Sequence, residues 1–327
     1  MTQVGARRHG LPTSHGDGPR VVAVGGGHGL AATLRALRRV TDELTAVVGV
    51  SDDGGSSGRL RRELGVPPPG DLRMALAALC GDDAWGRTWS RVVQHRFGGN
   101  GDLAGHALGN LLITALWEET ADIVGGLDWV AALLGAHGRV LPVATQGLQI
   151  IAEVTGLDPA RPDTVQEVRG QAAVAVSSGR VASIRLEPSD VAACPQALEA
   201  IAVADVVVLG PGSWFTSVLA PLLVPGMSDA VGAGRRRVVL VCNVGDHDLE
   251  TSGLSRAQQL RVLAEHVPAV GIDVVIADPQ VHDRAGLDEV AATLGARVTT
   301  APVAARDGSP THDVDLLASV LAGVLAG

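Results

Sequence analysis

The sequence contains no lysine and no tyrosine, so all 26 of its basic residues are arginine. The missing lysine excludes a P-loop lysine, a Schiff-base nucleophile and a pyridoxal site. The missing tyrosine removes phenolic acid–base chemistry. With two Phe and five Trp, extensive base or flavin stacking is not expected. The three cysteines, Cys80, Cys194 and Cys242, are far apart and lack metal-type spacing, so they read as buried apolar residues. No apolar run is long enough to span a bilayer; Val206 to Leu209 is typical. The first twenty residues carry Arg, His, Gly, Pro and Ser without an apolar run. Residues 1–19 therefore read as a flexible tail rather than a secretory signal, and the expected compartment is the cytoplasm. A formal charge of −9 argues against a nucleic-acid binder.

What remains is an α/β pattern. Hydrophobic residues make up 46% of the 327 positions, enough for a substantial core. Val21 to Val24 is a short apolar run that ends in glycines, followed by Leu30, Leu34 and Leu37 at helical spacing. Leu44 to Val50 reads as a second buried strand, and Arg59 to Leu64 as the start of a helix. Residues 72–138 read as a helical insertion and 149–186 as a β-rich excursion with runs at Ile150 to Val154, Ala172 to Val176 and Val181 to Leu186. Strand and helix alternate again from Asp205, with strands at Val206 to Leu209, Val238 to Cys242, Val274 to Ala277 and Val298 to Pro302. This alternation predicts a Rossmann-like, mostly parallel sheet with helices on both faces, in a single domain over 20–327.

Two strand–turn–helix junctions carry glycine. The first is Gly25-Gly26-Gly27-His28-Gly29 and the second Gly210-Pro211-Gly212-Ser213, followed by Thr216 and Ser217. Bare backbone and a helix N-terminus suit phosphate, and two such turns on one sheet suit a ligand with two phosphates. Asp52 and Asp53 close the second strand, where carboxylates either accept ribose hydroxyls or hold Mg²⁺ beside a diphosphate. Gly54, Gly55, Ser56, Ser57 and Arg59 extend that polar run. Asp71 follows Pro67-Pro68-Pro69-Gly70 at an N-cap position, with Arg73 close behind. His106 and Asn110 are four apart, which places them on one helix face. Arg235, Arg236 and Arg237 read either as anion contacts or as solvated charge. Asn243 ends a strand; Asp246, His247 and Asp248 after it read as a polar rim loop in preference to a metal cluster.

The segments GGGHGL at Gly25, SDDGGSSGRLR at Ser51, PPGDLR at Pro68, HALGNLLI at His106, LGPGSWFTS at Leu209, and the pairs Cys242-Asn243 and Glu250-Thr251 occur in this order. The arrangement resembles the gluconeogenesis-factor family and, more distantly, the 2-phospho-L-lactate transferases. That resemblance implies a Rossmann-like fold, a cytoplasmic protein, and a role in growth on gluconeogenic carbon sources and in cell-envelope morphogenesis. It also implies binding of a UDP-sugar such as UDP-N-acetylglucosamine, with envelope-synthesis proteins and a homo-oligomer among the partners, and carries the positions quoted above as ligand contacts. His28 stands where the family usually has Thr. A ligand-sensing regulator is the leading reading and a transferase of a phosphorylated group the alternative. An NAD(P)-dependent oxidoreductase fits less well, because Leu30 stands in the last glycine position of the dinucleotide fingerprint.

Overall fold

The computed structural model describes residues 18–245, 249–251 and 253–327. Most of the expected tail, and Asp246, His247 and Asp248, lie outside the described residues.

Seven strands form one parallel sheet: β1 Val21–Gly25, β2 Leu44–Val48, β3 Arg139–Pro142, β7 Val206–Leu209, β8 Arg237–Val241, β9 Val274–Ala277 and β10 Arg297–Thr300, in the order β10-β9-β8-β7-β1-β2-β3. Strands β1 and β7 are buried at every position. A run of valines with no alternation is what a strand covered on both faces requires. The edge strand β10 shows the reverse, with both end residues exposed. The direction of winding reverses between β1 and β7, which pair directly, so the carboxyl ends of these two strands frame the topological switch point.

Between β2 and β7 the chain departs from the sheet twice. The first departure is helical: α1 Gly27–Leu37 already follows β1, and α2 Gly55–Leu64, α3 Gly70–Leu79, α4 Ala84–Gln94, α5 Leu108–Thr120 and α6 Ile123–Leu134 follow β2. The second is a small antiparallel sheet of β4 Gln149–Thr155, β5 Gln166–Arg169 and β6 Arg180–Glu187, in the order β5-β4-β6. On its open face Glu167, Arg169, Arg185 and Glu187 alternate in ion pairs. Such exposed pairs hold register and contribute little stability. The fold class matches the sequence-based expectation. The segment Ala172 to Val176 does not: it is the helix α7, Gln171–Ala175, begun where Asp53 Oδ1 accepts from the Ala172 amide at 2.9 Å. Among the described residues no helix is long and apolar enough to cross a membrane.

Arg236 and Arg237, at the opposite end of the sheet, serve the backbone. Arg236 donates to the Ala230, Val231 and Ala202 carbonyls, and Arg237 to that of Val324. They satisfy carbonyls that helix C-termini leave open.

Candidate functional site at the switch point

The two glycine turns touch. A Cβ built on Gly29 would lie 2.0 Å from the Pro211 carbonyl oxygen, and one on Gly26 would lie 2.6 Å from Asp71 Oδ2. Packing of one turn on the other therefore demands glycine at Gly29, while Gly26 leaves room for the Asp71 carboxylate of α3. Gly27 differs: its φ is +65°, and a built Cβ meets nothing nearer than Ser217 Oγ at 4.0 Å. The left-handed backbone requires glycine here, and space lies open above Gly27, whose amide faces the Asp71 carboxylate. His28 is exposed beside it.

The second turn is already held from inside the protein. Asn243 grips Gly212 at two points, accepting from its amide at 2.8 Å and donating to its carbonyl at 2.7 Å. The Glu250 carboxylate accepts from the Phe215 and Thr216 amides at 3.0 and 3.2 Å and from the Thr216 hydroxyl at 2.5 Å. It thereby caps the helical turn Trp214–Leu219, whose N-terminal amides would otherwise be open donors. Ser213 is half-buried and Ser217 buried between the turns. Gly210 leads into the turn from β7 through its amide bond to the Val24 carbonyl.

Asp52 and Asp53 part company. Asp52 Oδ1 accepts from the Gly54 amide at 3.0 Å, and its other oxygen faces Gly70, where a Cβ would come to 2.8 Å. Asp53 turns to the small sheet through Ala172. Asp71 lies in the first turn of α3 instead of capping it; the N-cap is Pro69. Burial, and next the Asp52 carboxylate, raise Asp71 to about 7, while the Gly27 amide and Arg73 pull it down. Asp52 and Asp71, not Asp52 and Asp53, are thus the two carboxylates that face one another electrostatically.

Helix α2 begins at Gly55, four residues before the expected start, so Ser56 and Ser57 lie in its buried first turn. Ser56 Oγ is 3.0 Å from His106 Nδ1 and accepts from Asn110 Nδ2 at 3.0 Å. His106 precedes α5, which starts at Leu108, so His106 and Asn110 do not share a helix face. They converge on Ser56 because the chain pairs Arg96 with Ala107 before turning into α5. Burial, then Arg59, hold His106 below its usual range. Arg59 donates to the Ala104 carbonyl at 2.6 Å and ties this loop to α2.

A cleft of about 1110 Å³ opens at the carboxyl ends of β8, β9 and β10, with Asn243, Thr251, Ser255, Arg256, Asp278 and Arg306 on its walls. Asn243, on its wall, is the residue that grips Gly212 of the second glycine turn. Asp278 accepts from the Gln280, Val303 and Ala304 amides. Burial pushes Asp278 up, but these three bonds outweigh it and hold the carboxyl below its ordinary range. Sequence reasoning placed only Asn243 here. Arg256, Asp278 and Arg306 stand in no motif, and the one available signal was their position after strand ends.

Among the described residues no group of three or more His, Cys, Asp or Glu side chains gathers as a metal site. A family model described as 2-phospho-L-lactate transferase CofD matches residues 21–309. A candidate gluconeogenesis factor of Mycobacterium tuberculosis is 52% identical over 310 residues, covering 94% of this chain and 90% of that protein. The gluconeogenesis factor of Bacillus subtilis is 34% identical, covering 81% and 80%. A crystal structure of a UPF0052 family member from Bacillus halodurans superposes with a TM-score of 0.83 at 30% identity, over 95% of this chain and 99% of that one. Matches of this extent, on a parallel sheet with paired glycine turns, place the chain in the CofD family and among its gluconeogenesis factors.

Proposed function

We propose that this protein is a cytoplasmic regulator that binds a nucleotide sugar of the UDP-N-acetylglucosamine kind and acts on cell-envelope synthesis during growth on gluconeogenic carbon sources. The observation that carries this reading is the pair of touching glycine turns, with Asn243 gripping Gly212 of the second turn and lining the neighbouring cleft. The open space above Gly27, at a helix N-terminus, suits a diphosphate. The cleft beyond Asn243, about 1110 Å³, is just larger than the roughly 300–1,000 Å³ of ordinary small-molecule sites and is roomy enough for a nucleotide sugar. The relatives' designation as gluconeogenesis factors supplies the physiological half of the proposal.

A divalent cation beside the diphosphate fits Asp52 and Asp71. Burial and the Asp52 charge already raise Asp71 to about 7, and a cation between them would relieve that repulsion. Asp53 is committed to α7.

Transfer of a phosphorylated group is the second reading, favoured by the CofD match and by an Asp71 carboxyl that titrates near neutrality. Purified protein incubated with UDP-N-acetylglucosamine, Mg²⁺ and phosphorylated acceptors, followed by ³¹P NMR, separates the two. The regulator reading expects bound, unchanged ligand. Catalytic release of UMP or UDP, lost in Asp71→Asn, would establish the transferase instead.

A further inference from the structure

The helical insertion carries an apolar face that the described residues leave open to solvent. Trp85 on α4 and Trp129 on α6 are 53% and 58% exposed, and Leu133 is 39% exposed. Trp129 and Leu133 are four apart on α6 and so share a face. Trp85 joins them: its Nε1 donates to the Leu133 carbonyl at 3.2 Å, and its ring centre lies 5.6 Å from that of Trp89. Ala132 is exposed beside them. A Cβ built on Gly126 would come to 2.7 Å from the Trp117 ring, so α6 lies close on α5 and the two helices form one platform. The chain has five Trp and two Phe. Leaving two of those five tryptophans in solvent on one face marks a surface that an assembly covers.

The charges beside this face are separated by sign. Arg87 and Arg91 are exposed on α4, a helix with no acidic residue. Glu118 and Glu119 are exposed in the last turn of α5. Arg91, Glu118 and Glu119 form no ion pair among the described residues. Trp85 holds the start of α4 at the C-terminal end of α6, whereas Glu118 and Glu119 come just before α6 begins. The two signs therefore flank opposite ends of α6, about 18 Å apart for 12 residues at 1.5 Å each. A twofold axis passing near Trp129, at the middle of α6, would lay this helix antiparallel across its counterpart in a second copy. Each α4 would then meet the C-terminal end of the other copy's α5. The face is thus complementary to itself, in apolar surface and in charge. An anionic lipid surface fits it less well, because Glu118 and Glu119 border it and the formal charge of the chain is −9.

We propose that the outer face of α4, α5 and α6 is the interface of a twofold-symmetric dimer of this chain. Trp85, Trp129 and Leu133 form its centre, and Arg91 of each copy faces Glu118 and Glu119 of the other. The inference does not depend on what the glycine turns or the cleft at β8 to β10 bind.

The test is sedimentation velocity of the full chain over a dilution series. The unaltered protein is expected to sediment as a dimer, and Trp129→Asp to weaken the dimer at least about tenfold. Its circular dichroism is expected to stay the same, because the Trp129 side chain is exposed. Arg91→Glu, and separately the double variant Glu118→Arg, Glu119→Arg, are each expected to weaken the dimer at least about tenfold, since like charges then meet at both ends of the interface. An equimolar mixture of these two variants is expected to regain the dimer, because both contacts are again of opposite sign. A protein that is monomeric throughout, a dimer that Trp129→Asp leaves intact, or a mixture that stays monomeric overturns the proposal. A monomer that floats with phosphatidylglycerol vesicles, and no longer does so in Trp129→Asp, overturns it in favour of a membrane surface. Should Trp129→Asp not fold, the mixing of the two charge variants decides.

Discussion

At the scale of single residues, two glycines of one turn do different work. Gly29 is required by contact with the Pro211 carbonyl and Gly27 by its backbone angle and the space above it. Gly29→Ala should lower stability by about 1–3 kcal/mol, the range for overpacking, in thermal melts without ligand. Gly27→Val should cost only about 1–2 kcal/mol of strain yet abolish ligand-induced stabilisation. The same ligand response in both variants as in the unaltered protein would remove the first turn from the site. Asp71 makes a pH prediction. Its folded value, about 7, lies above the unfolded 3.8, so the native state binds more protons between those limits. That contribution is fully present below pH 3.8 and is lost as pH rises through 7. Without divalent cation, denaturant melts should show stability falling across this window, by an amount on the order of a few kcal/mol, and Asp71→Asn should flatten the slope.

At the scale of elements, burial decided what the sequence could reveal. Strands β1, β7 and β9 are continuous apolar runs, covered on both sides, and were legible with their ends. Strands β3 and β5 are four residues each, begin with polar side chains and carry no period. Helix α7 is a five-residue run of small apolar residues, too short to distinguish helix from strand; what makes it helical is the distant Asp53. The glycine turns were legible as strand–turn–helix junctions, because a motif fixes the backbone there. The candidate site around them was not legible where tertiary partners redirect a side chain. Spacing gave His106 and Asn110 a common helix face, whereas Ser56 is what gathers them. Glu250 and Asn243, quoted for the resemblance, brace the second turn from distant loops, a role that no local pattern signals. Asp53 yields a test at this scale. Asp53→Ala should raise amide hydrogen exchange at Ala172 and along α7 while β1 and β7 keep their protection. Unchanged exchange at Ala172 would mean that the tie is dispensable.

At the scale of the whole molecule, ligand and cation should each act as stabilisers of the folded state. A nucleotide sugar at 100 times its Kd adds about 2.7 kcal/mol. Mg²⁺ should add a further increment in melts, removed by Asp52→Asn or Asp71→Asn and kept in Asp53→Asn. Loss in Asp53→Asn alone would return the cation to the adjacent pair. The helix Val314–Ala326 packs on α1, with Arg39 of the first half paired to Asp315, and β1 takes β7 as its neighbour. During synthesis, then, the first glycine turn emerges long before the surfaces that shape it. About 280 residues separate the end of α1 from this last helix. At about 5–20 residues per second the ribosome covers that distance in tens of seconds. Throughout that interval β1 and α1 have β2 and α3 beside them, but the face of α1 that the last helix covers stays open, so chaperones have their longest access to the segment that carries the first glycine turn.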